Sequence, residues 1–327
     1  MYLDQAFGQA RANNLNALRL AAAAAVIVSH AWPLAYGPGT AEPLKALTGH
    51  ALGGWAVVLF FFLSGLLIAQ SAATRSAAEF WTARARRILP GLAMALVVTL
   101  ILAALSGASL TPGLATDYIL RGLTLVSLEH RIPGAFAANP YPLAVNGPLW
   151  SLFHEVAAYA ICFAAIRAGL VQRAPLALPL MALALWAAAA LWSLPARLET
   201  FAPLFLAFAA GVTVWRLRAR WPLSPILLMA LVICAPLGWP FAVAALGQAA
   251  LILAFRAPVI PMRHDLSYGA YIYGWPVAQY IVHQMPGLSA PELAILSLAA
   301  TLPFALVSWL FIETPALRQM RKLTRTA

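Results

Sequence analysis

Charge is what this sequence has least of. Only 9% of its 327 residues are Asp, Glu, Lys or Arg and 63% are hydrophobic, whereas soluble domains carry roughly 25% charged residues. A water-soluble globule is therefore excluded and an integral membrane protein expected. Cysteine is nearly missing: Cys162 and Cys234 both fall inside apolar runs, so neither a disulfide framework nor a metal cage can be built from them. No metal is expected. The sequence has no GxGxxG and no P-loop pattern, so dinucleotide and NTP motifs do not apply. Internal repeats, low-complexity tails and a recognisable soluble domain are absent too. What is in excess is positive charge, net +11. The basic residues cluster in the gaps between apolar runs, which is the pattern of membrane orientation and not of nucleic-acid binding.

Apolar windows of about twenty residues predict an all-α, polytopic membrane protein with about ten transmembrane helices. The predicted spans are 16–35, 52–72, 88–106, 148–167, 175–193, 201–216, 222–237, 239–255, 267–285 and 291–312. Several boundaries are marked by proline, at Pro90, Pro148, Pro175, Pro222, Pro240 and Pro291. The seventh and eighth spans are separated only by PLGWP, Pro236 to Pro240, and predict a tight hairpin or a re-entrant pair. With both termini in the cytoplasm, inner segments hold 17 of the 21 basic residues, from Arg11 to Arg325. The outer segments keep only Lys45, Arg121, Arg131 and Arg197. The first apolar run could pass for a secretory signal, but the spans that follow make it a retained helix. The chain reads as one domain, 1–327, with its longest loop at about 107–147 on the outer side. That loop carries Asp117 and Arg121 at helical spacing, an EHR cluster at Glu129 to Arg131, and a patch at Tyr118 to Leu128 that argues for partial order.

The stretch RLAAAAAVIVSH organises the rest. Arg19 and His30 are eleven residues apart, almost three helical turns, so they share one stripe. The imidazole falls near mid-membrane, where an ionisable residue marks a functional site or is satisfied by a neighbouring helix. In FFFLSG, Phe60 to Gly65, Ser64 lines a cavity or hydrogen-bonds a substrate carbonyl, and close helix packing accounts for the pattern equally well. In RARRILP, Arg84 and Arg87 lie three apart on one face and suit an anionic ligand arriving from the cytosol, while Arg86 serves orientation. NGPLWSLFHE places Asn146 and Pro148 at a helix start and Ser151 and Glu155 on one face. A carboxylate that deep needs a cavity or a partner, and a histidine elsewhere in the bundle would be one. His154 points about 100° away and is secondary. In LSYGAYIYGWP, Tyr268 suits an interfacial belt while Tyr271 and Trp275 lie deeper on the same side. Glu313 at the inner rim can simply pair with an arginine.

Taken together and in order, the Arg19-to-His30 spacing, FFFLSG, RARRILP, GPLWSLFHE, LSYGAYIYGWP and the terminal Glu313-Thr314 resemble the membrane acyltransferase 3 family. That family includes polysaccharide and lipopolysaccharide O-acetyltransferases and nodulation-factor acetylases. The resemblance implies a ten-helix enzyme of the bacterial inner membrane that takes acetyl groups from cytosolic acetyl-CoA and places them on a glycan or lipid-linked sugar. The family's motif arginine, histidine and Trp-Ser-Leu glutamate map to Arg19, His30 and Glu155. One departure is Gly274, where many members carry histidine, so no catalytic work is expected there. Some relatives carry a fused esterase-like domain, for which this chain is expected to have no room.

On this reading His30 is the general base and Glu155 orients it. Arg19, Arg84, Arg87 and Ser64 are expected to hold the acetyl-CoA donor, with Arg84 and Arg87 on its phosphates. Trp150, Ser151, Asn146, Tyr271 and Trp275 are expected to line the acceptor site. An acetyl-enzyme on His30 or Ser64 is a variant of the same scheme. The rivals are a proton-coupled transporter or flippase, which also uses buried His and Glu, and a lipid-acylating transferase. Against a carrier, the two halves show no repeated pair of interrupted helices.

Overall fold

In a computed structural model, residues 1–9, 13–128, 131–142 and 144–323 are described, the side chains of 8, 9 and 319–323 aside. Arg11, Arg325 and the Glu129–His130 part of the EHR cluster lie outside them, as do the side chains of Arg321 and Lys322. The described residues form helices α1 (Leu3–Gln9), α2 (Leu15–Tyr36), α3 (Pro43–Thr48), α4 (Leu52–Thr74), α5 (Ala77–Leu105), α6 (Pro112–Thr124) and α7 (Trp150–Arg167). They continue with α8 (Leu170–Arg173), α9 (Ala177–Leu191), α10 (Ala196–Arg216), α11 (Pro225–Cys234), α12 (Trp239–Phe255), α13 (Ser267–Gln284), α14 (Ala290–Ser308) and α15 (Thr314–Leu323). Among these residues there is no strand, only an isolated bridge between Tyr2 and Pro222.

A helix lies at each of the ten expected segments. Five helical stretches are long and apolar enough to cross a membrane: Leu15–Tyr36, Leu52–Thr74, Ala77–Leu105, Ala196–Arg216 and the run Ala290–Arg318. Three shorter apolar helices accompany them, Ala177–Leu191, Pro225–Leu237 and Trp239–Phe255. Two boundaries differ from expectation. Helix α5 begins at Ala77, not near Pro90, because Ser76 and Glu79 form a capping box: the Ser76 amide donates to Glu79 at 2.9 Å and the Glu79 amide to the Ser76 hydroxyl at 3.3 Å. The arginines of RARR are therefore helical. The last expected span also does not end at 312, since a π turn at Trp309–Glu313 carries it into α15. At PLGWP the chain makes the tight hairpin, through a 3-10 turn and Gly238 at φ +148, and α11 packs on α12.

The chain divides into two compact units. The first holds residues 1–19, 57–80 and 154–262. In it α4 and α10 meet backbone to backbone: a Cβ on Gly65 would overlap the Phe208 carbonyl oxygen, and one on Gly211 the Phe62 carbonyl oxygen. This reciprocal pair is the small-residue crossing that dispersion favours between apolar helices. Buried polar side chains tie down the connecting loops. Gln248 accepts from Trp221 Nε1 at 2.9 Å and donates to the Pro222 carbonyl at 3.0 Å. Asn14 donates to the Leu253 and Pro258 carbonyls, both at 3.0 Å.

The second unit holds residues 20–56, 81–153 and 263–327. Its α13 and α14 pack along their length, with Gly269 against Ala305. Within the 107–147 segment the expected ordered patch includes helix α6: Thr111 caps it, and Gly122 seats it on Leu96 of α5.

Gly65→Leu and Gly211→Leu should each lower the stability of detergent-purified protein by about 1–3 kcal/mol or more through overpacking. Gly54→Leu is the control, because a Cβ there meets nothing within 4 Å. Equal melting temperatures for all three would show that α4 and α10 do not cross at their glycines.

Candidate active site

In the second unit, the site begins with a missing amide. Pro276 lies inside α13, so the Ile272 carbonyl one turn earlier loses its helical donor. Asn146 supplies it, with Nδ2 donating to Ile272 O at 3.0 Å. The segment before α7 is laced along α13 in the same way. Asn139 donates to the Gln279 backbone and side-chain oxygens at 2.8 and 2.7 Å. Gln279 donates to the Tyr141 and Ala144 carbonyls at 2.7 and 2.9 Å, and Trp275 Nε1 donates to Ala144 O at 2.9 Å. As residue numbers rise along the segment, those of its partners on α13 fall. The two therefore run antiparallel.

This seam brings together five of the expected residues. His30 stands edge-on to Trp275, ring centroids 4.9 Å apart. Gly147 packs against the same indole, where a Cβ would come 3.3 Å from three ring atoms. One turn along α13, the Tyr271 hydroxyl is 2.6 Å from Ser151 Oγ and donates to Pro148 O at 3.0 Å. Asn146 is 2% exposed. Its Oδ1 is buried and has no hydrogen-bond partner among the described residues. Trp275, the partner of the His30 ring, belongs to an apolar cluster with Ala31 and Leu34 of α2. Gly274 has a plain steric explanation: a Cβ there would lie 2.6 Å from Ile27 Cγ1, so α2 and α13 touch at that position.

In the first unit, Ser64 Oγ donates to Glu155 Oε1 at 3.0 Å, and the Tyr159 hydroxyl donates to the same oxygen. Ser64 is thereby committed to a carboxylate. Tyr159 escaped the sequence reading, although its position four residues after Glu155 on one helix was a legible signal. His154 is buried, with Nε2 3.1 Å from the Arg197 carbonyl and 3.1 Å from Thr200 Oγ1, and its ring stacks on Phe201. That makes it a satisfied interior histidine. Arg19 is half-buried on α2 in this unit, and Trp150, 38% exposed, opens α7 in the other.

The arginines of α5 behave differently from one another. Arg87 is gripped by two carboxylates, Nη2 to Asp265 at 2.7 Å and Nη1 to Glu313 at 2.9 Å. The Tyr268 and Trp309 rings lie 5.5 and 5.7 Å from its guanidinium carbon. The π turn at Trp309–Glu313 accompanies this arrangement: Glu313 is 2% exposed and also accepts from Ser308 at 3.2 Å. Both terminal nitrogens of Arg87 thus meet carboxylates, where the sequence reading expected phosphate. Arg84 is half-buried on the same helical face. Arg86 Nη1 is buried and without a hydrogen-bond partner among the described residues. Arg87→Met leaves two carboxylates facing each other and should cost about 3–5 kcal/mol, while Glu313→Gln should cost less. Indistinguishable melting curves for R87M and the unaltered protein would show that the triad carries no stability.

The acyltransferase-domain profile of the acyltransferase 3 family matches residues 13–261. The chain is 25% identical over 331 residues to the O-acetyl transferase of Shigella phage Sf6, covering 93% of this chain and 95% of that one. It is 25% identical over 355 residues to Nodulation protein 10 of Rhizobium leguminosarum bv. viciae, covering 94% and 93% respectively. No solved structure matches. A family match across most of the chain, on a scaffold of apolar helices suited to crossing a bilayer several times, identifies this protein as a multi-pass membrane member of the acyltransferase 3 family.

Proposed function

We propose that this acyltransferase is an O-acetyltransferase of a bacterial inner membrane, with both termini in the cytoplasm. It takes acetyl from acetyl-CoA on the inner side and places it on a hydroxyl of an exported or lipid-linked glycan. The observation that carries this reading is the imidazole of His30, held by the Trp275 indole beside a seam of hydroxyl and amide groups. An O-acyl transfer needs such a base in such surroundings. His30 removes the acceptor hydroxyl proton as the oxygen attacks the thioester carbonyl, the C–S bond breaks, and the imidazolium returns the proton to the departing thiolate. An acetyl ester and free coenzyme A thiol result. Glu155, held in its own unit by Ser64 and Tyr159, is the carboxylate that the family motif supplies alongside the base. Asn146, Ser151, Tyr271, Trp275 and Trp150 line the acceptor side.

Arg84 receives the coenzyme A phosphates in this reading, with Arg19 on the donor's path. Arg87 acts by anchoring α5 through Asp265 and Glu313, and its phosphate role is not carried forward. Ser64 holds Glu155.

His30→Ala should reduce glycan-dependent thiol release from acetyl-CoA by roughly 100 to 10,000 fold, at unchanged protein yield. Full turnover by that variant would remove His30 from the chemistry. Arg84→Gln should raise the acetyl-CoA KM several-fold at constant acceptor KM, the signature of lost donor binding. An unmoved donor KM would take Arg84 out of the donor site.

A further inference from the structure

The segment that supports Trp275 also walls a cavity of about 560 Å³ that the transfer chemistry does not use. Helix α6 contributes Leu114, Asp117 and Tyr118, which share one face at i, i+3 and i+4. The opposite wall is the 131–142 stretch, with Arg131, Pro133 and Pro142 lining it. That wall is held in shape from behind. Phe136 is buried at φ +51 and its amide donates to Ser106 Oγ at 3.1 Å, while Gly134 at φ +79 abuts the Gly107 carbonyl. The cavity is therefore preformed, and its volume lies in the range of small-ligand sites.

The lining chemistry selects among ligands. Asp117, paired with Arg121, keeps lone pairs that accept hydrogen bonds, and Arg131 donates them, so the lining offers polar groups of both kinds. Leucine and proline between them offer apolar surface. A molecule with hydroxyl edges and C–H faces satisfies both, and that description is a sugar ring. One lining residue adjoins the ring contacts around His30 along the chain. Pro142 directly follows Tyr141, whose ring meets Trp275 at 5.2 Å, and Trp275 meets His30 at 4.9 Å.

We propose that this cavity is a carbohydrate subsite, holding a sugar unit of the acceptor glycan adjacent to the one being acetylated. The proposal rests on the reading of the acceptor as a glycan. It makes α6 and the 131–142 stretch a specificity device, which grips the chain while the neighbouring hydroxyl is delivered to His30.

The test uses the full-length protein in detergent with acetyl-CoA and two probes cut from the surface glycan it acetylates, a monosaccharide and a trisaccharide. Ala137→Trp fills the cavity from an exposed lining position, and Asp117→Asn removes one charge while costing only an exposed ion pair to Arg121. Each variant should raise the trisaccharide KM about tenfold and leave kcat, the monosaccharide KM and the acetyl-CoA KM unchanged, because only uniform binding is lost. Without acetyl-CoA, saturation-transfer NMR of the trisaccharide should show contact with the unaltered protein that A137W loses. Transfer by both variants at unaltered trisaccharide KM would overturn the subsite and leave the O-acetyltransferase reading standing. A failure of the unaltered protein to acetylate either saccharide would overturn both.

Discussion

The second unit depends on a gap in α13. Pro276 takes one amide out of the helix that carries Tyr271 and Trp275, and a carbonyl left bare in an apolar interior costs several kcal/mol. Asn146 answers it with its side-chain amide, and Asn139, Gln279 and Ala144 extend the same lacing along the helix. Described residues that belong to no helix are thereby tied to α13 by side-chain hydrogen bonds. The Trp275 indole, bonded to Ala144 and backed by Gly147, becomes a fixed wall for His30. Asn146 serves twice over, since filling the gap with Nδ2 leaves its Oδ1 as a buried acceptor without a partner among the described residues.

Elsewhere the same scarcity of water shapes the protein differently. Between apolar helices there is little hydrophobic gain, so contact surfaces rely on close approach at glycine, as at Gly65 with Gly211 and at Gly269. Ionic groups are placed where they can be neutralised. Arg87 sits between Asp265 and Glu313, and the π turn before Thr314 goes with the turning of Glu313 inward. Glu155 takes two hydroxyl donors, from Ser64 and Tyr159. These carboxylates perform different services: one pair anchors a helix, and the other is held by a single oxygen.

Much of this was legible in the residues. The ten apolar segments, the place of His30 on the first long helix, and the pairing of Glu313 with an arginine follow from hydropathy, spacing and the cost of an uncompensated charge. The Ser76–Glu79 capping box was readable and would have placed the start of α5 correctly, but the apolar window outweighed it. The identity of the arginine on Glu313 was not readable, because Arg87 and Glu313 are 226 residues apart. Tyr159 could have been found from its i+4 relation to Glu155. The clasp of 139–146 on α13 could not, since an irregular segment has no periodicity to announce its partner.

By itself the sequence determined that this is a helical membrane protein, where its helices fall, and that it belongs to an acyl-transfer family, because those properties are written in composition, local periodicity and short motifs. Only the tertiary structure decided which polar groups meet: Asn146 at the Pro276 gap, Trp275 against His30, Ser64 on Glu155, and Arg87 between two carboxylates. Those pairings join residues distant along the chain, and they reflect the cost of leaving donors, acceptors and charges uncompensated among apolar helices.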